Sequence, residues 1–328
     1  MTRLPPRLSV AQLPTPVRRL PGVSAAVGRE IWVKHDDDTG GPLSGNKIRK
    51  LQFAVREAID AGCDTLITCG GIQSNHCRAT AVLARRLGLG VTLCLRGTPP
   101  EVATGNLLLD QLLGADIRWW TPAQYRDHDA GMAAIADELR AAGRTPYVVA
   151  EGCSMPPGVL GYVDACDEIA AAQREHGVTF DAIVHAVGSG GTTAGLELGV
   201  RRSGLSADPI GIPVCDDAAY FRPHIAKLCA DTSARYDLDL SVPPDEIELW
   251  DGHTGPGYGL TTPAQLRTLA QAARRDGLLL DPVYTSKAWA GMLDRIADGW
   301  DAPTILFLHT GGVYGLFAHA TDLTSAVR

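Results

Sequence analysis

Ala182-Ile183-Val184-His185-Ala186-Val187-Gly188-Ser189-Gly190-Gly191-Thr192-Thr193-Ala194-Gly195 reads as a buried strand, a glycine turn and the start of a helix. Glycines there let backbone N–H groups close on an anion, and Thr192 and Thr193 add hydroxyls at the helix N-terminus. A phosphate fits such a junction. The alternation extends in both directions. Strands are expected at 31–34, 65–69, 91–95, 116–120, 147–150, 210–214 and 304–308, and helices at 77–87, 101–113, 130–142, 158–173, 263–277 and 286–297. Strands alternating with helices imply an α/β fold with mainly parallel sheets covered on both faces. Residues 1–30, rich in proline, read as an extended arm, and 230–256 read as loop. Ligands of such sheets bind at the carboxyl ends of strands, which directs attention to the loops at 70–76 and 151–157.

The second informative stretch is Ser44-Gly45-Asn46-Lys47-Ile48-Arg49-Lys50-Leu51, a polar loop closing into a helix. Ser44 or Asn46 is expected to cap it, and Ile48, Leu51, Val55, Ala58 and Ile59 repeat at helical spacing as its buried face. Lys47 begins the helix, where the positive end of the dipole disfavours an ammonium and favours a nucleophilic amine. That suits a Schiff-base lysine. Lys50 reads as a surface or phosphate-neighbouring charge. His35-Asp36-Asp37-Asp38 upstream reads as a solvated acidic turn, because further spaced oxygen ligands for a metal are missing.

Two phosphate ligands compete for the glycine turn. A dinucleotide wants G-x-G-x-x-G and a later acid; Gly188, Gly190 and Asp216 fit, but Thr193 stands at the third glycine. A reactive lysine elsewhere favours a smaller phosphate that carries an aldehyde, which describes pyridoxal 5'-phosphate.

Composition narrows the partners. The 328 residues are 45% hydrophobic and 20% charged with a net charge of −7, enough for a large core and without a basic patch for nucleic acid. The eight cysteines form no C-x-x-C pair or zinc spacing, which suits a reducing cytoplasm, and no segment reads as a secretory signal or a membrane span.

SGNKIRKL (44–51), GGIQSNHCRATA (70–81), EGCSMPPGVLGYV (151–163), VGSGGTTAG (187–195), GPGYGL (255–260), DPVYTSKA (281–288) and HTGGVYGLF (309–317) occur in one order. In this the chain resembles the 1-aminocyclopropane-1-carboxylate (ACC) deaminase / D-cysteine desulfhydrase family of pyridoxal-phosphate enzymes, which share the tryptophan-synthase β-subunit fold (fold type II). The resemblance implies a large domain from 1–49 plus 156–328, a small domain over 50–155, the cofactor between them, and a homodimer. It implies Lys47 as the Schiff-base lysine, with Gly188, Ser189, Gly190, Gly191 and Thr192 around the phosphate. Asn75 would meet the cofactor's phenolic oxygen, while Ser74, Asn75 and His76 would receive the substrate carboxylate. Tyr258 and Tyr284 would face the substrate, and Thr285 or Thr310 the pyridine nitrogen. Met155, where relatives carry Asn, would touch the substrate, and Tyr314 would add bulk to the pocket.

Within the family, ACC deaminases carry a glutamate directly after the tyrosine matched by Tyr284. A threonine at 285 offers no charge to keep the ring nitrogen protonated, so the ring is a weaker electron sink. The expectation is therefore β-elimination on a small amino acid, D-cysteine first, giving pyruvate, ammonia and sulfide. L-cysteate is the alternative, with Arg78 or His76 as the extra cation. An ACC deaminase, a racemase and a β-replacement synthase stand further back. Outside this chemistry, a dinucleotide-dependent oxidoreductase and a silent cofactor-binding protein remain.

Overall fold

The structure is a computed structural model that describes residues 3–327. In chain order it begins with strand β1 (Val17–Arg19), helix α1 (Pro21–Val27), β2 (Glu30–His35), α2 (Lys47–Asp60), β3 (Thr65–Gly71), α3 (Asn75–Arg86) and β4 (Gly90–Arg96). Then come α4 (Gly105–Leu112), β5 (Asp116–Trp120), α5 (Pro122–Tyr125), α6 (His128–Ala141), β6 (Pro146–Val148), α7 (Pro156–His176) and β7 (Ala182–Val187). The remainder is α8 (Gly191–Ser203), β8 (Asp208–Pro213), α9 (Ala218–Tyr236), β9 (Glu248–Leu249), α10 (Pro263–Asp276), α11 (Thr285–Ala297), β10 (Thr304–His309), α12 (Val313–Leu316) and α13 (Ala320–Val327).

The strands form two sheets. One has the order β1-β2-β10-β7-β8-β9, parallel except for β1; the other is the wholly parallel β5-β4-β3-β6. Strands buried on both faces should be apolar at consecutive positions, and they are. On β7, Val184 packs with Phe307 and Trp289 on one face while Ile183 packs with Tyr162 and Leu196 on the other. On β3, Leu66 faces α2 and α3 while Ile67 and Cys69 face Met132 and Ile135 of α6.

Four local expectations change. The arm over 1–30 contains β1 and α1, because Pro21 at the first helical position pre-sets its φ and Gly28, at φ 67°, closes the helix. The loop expected over 230–256 starts later, since α9 runs to Tyr236; Asp217 caps it by accepting from Tyr220 N at 2.8 Å. Ile59 is exposed rather than part of the buried stripe of α2.

The acidic turn is the largest correction. Asp36 is buried and accepts from Arg49 Nε and Nη2, each at 2.8 Å, and from Tyr162 OH at 2.6 Å. Arg49 also reaches Glu168, which pairs with Lys34 Nζ at 2.8 Å. Burial alone would raise the Asp36 pKa, but the charges of Arg49 and Lys34 and the hydrogen bonds from Arg49 and Tyr162 hold it below the ordinary carboxylate value. The network pins the start of α2, and hence Lys47, to β2 and α7.

Candidate active site

The loops after β3, β6, β7 and β10 converge with the start of α2 on one cleft. Lys47 is the first residue of α2 and its side chain enters the cleft. Enclosure by protein lowers the pKa of its amine, against the opposing pull of Cys153 and Glu151. The capping expectation fails. Asn46 instead donates from Nδ2 to Thr192 Oγ1 at 3.2 Å and from its backbone N to Thr310 O at 3.0 Å, joining the lysine loop to the glycine turn and to β10. Ser44 contributes its carbonyl to Arg78 Nη2 at 2.9 Å.

Opposite the lysine, β7 ends in Gly188, Ser189 and Gly190, which line the cleft together with Thr192. Gly190 has φ +77° and is the N-cap of α8, so the backbone folds over the cleft where a side chain would be strained. Gly191 belongs to the turn but not to the cleft wall: its N–H donates to Ser154 Oγ at 3.1 Å. Ser154 also meets Ser189 Oγ at 2.8 Å, and Lys50 Nζ donates to Gly152 O at 2.8 Å and to Ser154 Oγ at 3.3 Å. Lys50 is thus fully buried behind the turn, not a surface charge. Burial first, and then the charge of Lys47, push its pKa far down.

The third wall is the N-terminus of α3. Ser74 caps the helix by accepting from Cys77 N at 3.2 Å, which leaves its hydroxyl proton to donate. The first-turn N–H groups of Asn75 and His76 are donors that a helix cannot satisfy itself. All three residues line the cleft. The His76 ring adds no charge. Thr68 Oγ1 gives its proton to Val149 O at 2.8 Å and therefore accepts from His76 Nε2 at 2.8 Å. Burial, followed by Lys47 and Lys50, drives the imidazole pKa well below its ordinary value. Gly70 and Gly71 are required by proximity, since a Cβ would sit 2.5 Å from Ser74 Oγ on the first and 2.9 Å from the Tyr258 ring on the second.

Tyr258 and Tyr284 close the cleft with their hydroxyls 2.6 Å apart, and burial raises both pKa values, so both are neutral phenols. Thr310 lines the cleft at the end of β10. Thr285 does not. It is buried with Oγ1 on Asp281, donating to Oδ1 at 2.8 Å and accepting from Asp281 N at 2.7 Å. Met155, expected at the substrate, packs on the core of the four-stranded sheet instead, because it precedes Pro156 in extended geometry at the start of α7. Tyr314 stacks under Arg78, 4.9 Å from ring centroid to guanidinium carbon, and stays outside the cleft wall.

Several site residues escaped the sequence reading. Glu151 lines the cleft and accepts from Tyr125 OH; Ser154 braces the turn; Lys287 donates to Thr254 O at 2.6 Å and Gly257 O at 3.0 Å and so holds the loop that carries Tyr258. Only EGCSM at a strand end marked the first two, and nothing in the helical pattern marked Lys287.

The walls suit a phosphate-bearing aldehyde: a backbone turn rich in N–H groups, a lysine amine disfavoured as an ammonium, and a helix N-terminus for a carboxylate. Residues 8–311 match the family model described as "Pyridoxal-phosphate dependent enzyme". The chain belongs to that family. A D-cysteine desulfhydrase of Salmonella newport is 40% identical, with 97% of each chain covered. The "Bifunctional D-cysteine desulfhydrase/1-aminocyclopropane-1-carboxylate deaminase, mitochondrial" of Arabidopsis thaliana is 39% identical over 97% of this chain and 80% of its own. Among solved structures, an ACC deaminase homologue superposes with a TM-score of 0.91 at 37% identity, covering 98% of this chain and 96% of that one. The fold is therefore fold type II, the cofactor is pyridoxal phosphate, and the protein is a pyridoxal-phosphate-dependent lyase. Among the described residues no helix is long and apolar enough to cross a membrane.

Proposed function

We propose that the enzyme carries out β-elimination on a small amino acid, with D-cysteine and water giving pyruvate, ammonia and hydrogen sulfide. The observation that carries this reading is the hydroxyl of Thr310 on the cleft wall, with the Thr285 side chain turned onto Asp281. Glu151 is the one carboxylate among the described lining residues, and it is engaged by Tyr125 OH. A hydroxyl cannot hold a proton on a pyridine nitrogen as a carboxylate does. The resulting weak electron sink suffices to expel a thiolate and falls short of opening a cyclopropane.

When bound, the cofactor supplies an electrophilic carbon for the substrate amine and a ring that takes up the electron pair left at Cα. The neutral amine of Lys47 removes the Cα proton, which its buried setting favours. Ser74 Oγ–H and the N–H groups of Asn75 and His76 receive the substrate carboxylate at the positive end of α3. As the Cβ–S bond breaks and its electron pair goes to sulfur, the Tyr258–Tyr284 pair holds a proton against the departing atom. Gly188, Ser189, Gly190 and Thr192 would hold the phosphate, with Gly191 and Lys50 bracing the turn from behind.

The same reading takes 1–49 plus 156–328 as a large domain and 50–155 as a small one with the cofactor between them, and the working unit as a cytoplasmic homodimer. L-cysteate is the second substrate favoured by a specific group. Arg78 and His76 are committed elsewhere, but the Arg96 guanidinium lies over the Tyr258 ring at 5.2 Å and could meet a sulfonate at the cleft edge. The deciding assay supplies the cofactor and measures 2-oxo acid and sulfide from D-cysteine, L-cysteine, L-cysteate and ACC. Equimolar pyruvate and sulfide from D-cysteine is expected. Release of 2-oxobutanoate from ACC without pyruvate from D-cysteine would overturn the proposal.

A further inference from the structure

Asn106, the second residue of α4, has no place in the reaction as described, yet it is fully buried beside the cleft. Its Oδ1 accepts from Arg78 Nε at 3.2 Å, and its Nδ2 donates to Gln73 O and to Asn75 Oδ1, both at 2.9 Å. Two of these partners are one-directional. A guanidinium Nε can only donate and a peptide carbonyl can only accept, so the Asn106 amide has a single allowed orientation. Asn75 must then present its oxygen to Asn106, which leaves its NH₂ for the cleft. The backbone N–H of Asn106 donates to Gln73 Oε1 at 2.9 Å and ties the whole amide to the same loop. Arg78 is anchored in turn by two further carbonyls, Pro42 O and Ser44 O, on the loop that leads into Lys47.

We propose that Asn106, oriented by Arg78, is a positioning residue that locks the Asn75 amide with its NH₂ turned into the cofactor cleft. Through the carbonyls of Pro42 and Ser44, the same guanidinium ties that orientation to the loop that presents Lys47. An amide free to rotate would spend part of its time offering oxygen, a lone pair facing the cofactor's phenolic oxygen. The locked amide offers only donors, so it favours the ionised phenol. The inference rests on the reading above in which Asn75 meets that oxygen.

The test is a spectrophotometric pH titration of the cofactor-loaded enzyme without substrate, following the long-wavelength absorption band. Asn75→Leu, which removes the donor, is expected to raise the midpoint by about one pH unit, a tenfold change in proton affinity. Asn106→Leu should raise it in the same direction, and the double variant should match Asn75→Leu alone, since the lock acts only through Asn75. Lys47, His76, Glu151, Tyr258 and Tyr284, which face the same cleft, stay as they are in every variant, as do Arg78 and Asp110 on the elements packed behind. If Asn75→Leu moves the midpoint and Asn106→Leu leaves it unmoved, the lock is refuted while the role of Asn75 stands. If Asn75→Leu itself leaves it unmoved, the contact with the phenolic oxygen fails, and the lock with it. Should Asn106→Leu not fold, Asn106→Asp keeps an acceptor for Arg78 while removing the donor to Asn75. It is expected to raise the midpoint as well, and an unchanged midpoint there refutes the lock equally.

Discussion

Gly152→Ala tests whether the cofactor turn is held from behind by the 151–155 loop. Gly152 has φ +62°, and an added Cβ would lie 2.3 Å from Ser189 Oγ and 3.5 Å from Lys47 Nζ. A Cβ in left-handed backbone costs about 1–2 kcal/mol. Ser189 must also swing away and give up its 2.8 Å contact with Ser154, about 1 kcal/mol for a lost hydrogen bond. The sum is about 2–3 kcal/mol. Unfolding entropy of roughly 2.1 cal/mol/K per residue over 328 residues makes that a fall in apo-enzyme Tm of about 3–4 °C. Gly88→Ala is the matched control, because Gly88 has φ +73° with nothing within 4 Å of its Cβ position. It carries the backbone cost alone, about 2 °C by the same conversion. The variants should part company in cofactor affinity, measured by absorbance titration of the apo-enzyme. Gly88→Ala should bind as the parent does, whereas Gly152→Ala should bind about 10–100-fold more weakly, the worth of one hydrogen bond to a charged group. Equal affinities in the two variants would refute the argument that Ser189 and its bracing loop shape the phosphate turn.

Three further outcomes follow from the site. Lys47→Ala should abolish the covalent adduct seen by mass spectrometry after borohydride reduction and cut lyase turnover by at least about 10³-fold, with an apo-enzyme Tm no lower than the parent's; an adduct on another lysine would move the role elsewhere. His185 is fully buried, and burial lowers its pKa to about 4. Such a base takes its proton only on unfolding, so stability should fall as pH drops from about 6.5 towards 4, by up to about 3.4 kcal/mol at 1.36 kcal/mol per unit. His185→Gln should flatten that acid limb in thermal melts, and an equally steep limb would count against it. Thr285→Glu sets a second carboxylate against Asp281 in a buried site, so it should lower Tm markedly and slow β-elimination; full retention of both would refute the placement of the Thr285 side chain in a closed site on Asp281.

The alternation of apolar strands with amphipathic helices, broken by Gly188–Gly195 and by the lysine loop, is a local signal, and it was enough for the parallel α/β class and for a phosphate-and-lysine chemistry. Locality also explains Lys47, which sits at a helix start where short-range turn chemistry is written in neighbouring residues; Ser74, Asn75, Tyr258 and Thr310 were reached through the family motifs that contain them, and the structure places all four on the cleft wall. Much of what sequence left undecided depends on partners in other elements. Asp36 is a buried anchor because Arg49 and Tyr162 arrive from other elements, and Lys50 is buried because the 151–155 loop folds over it. Met155 and Thr285 carry motif positions that pointed to the cleft, yet packing turned one into the small-sheet core and the other onto Asp281. Asn106 had no local signature, and Lys287 lay inside the DPVYTSKA motif with nothing to mark its role, since the work of both is to satisfy distant backbone and amide groups. Sequence by itself determined which elements form and which chemistry they can host. The direction each polar side chain takes was decided by the tertiary structure, because a buried donor or acceptor must find a partner, and for Asp36, Lys50, Asn106 and Lys287 that partner comes from another element.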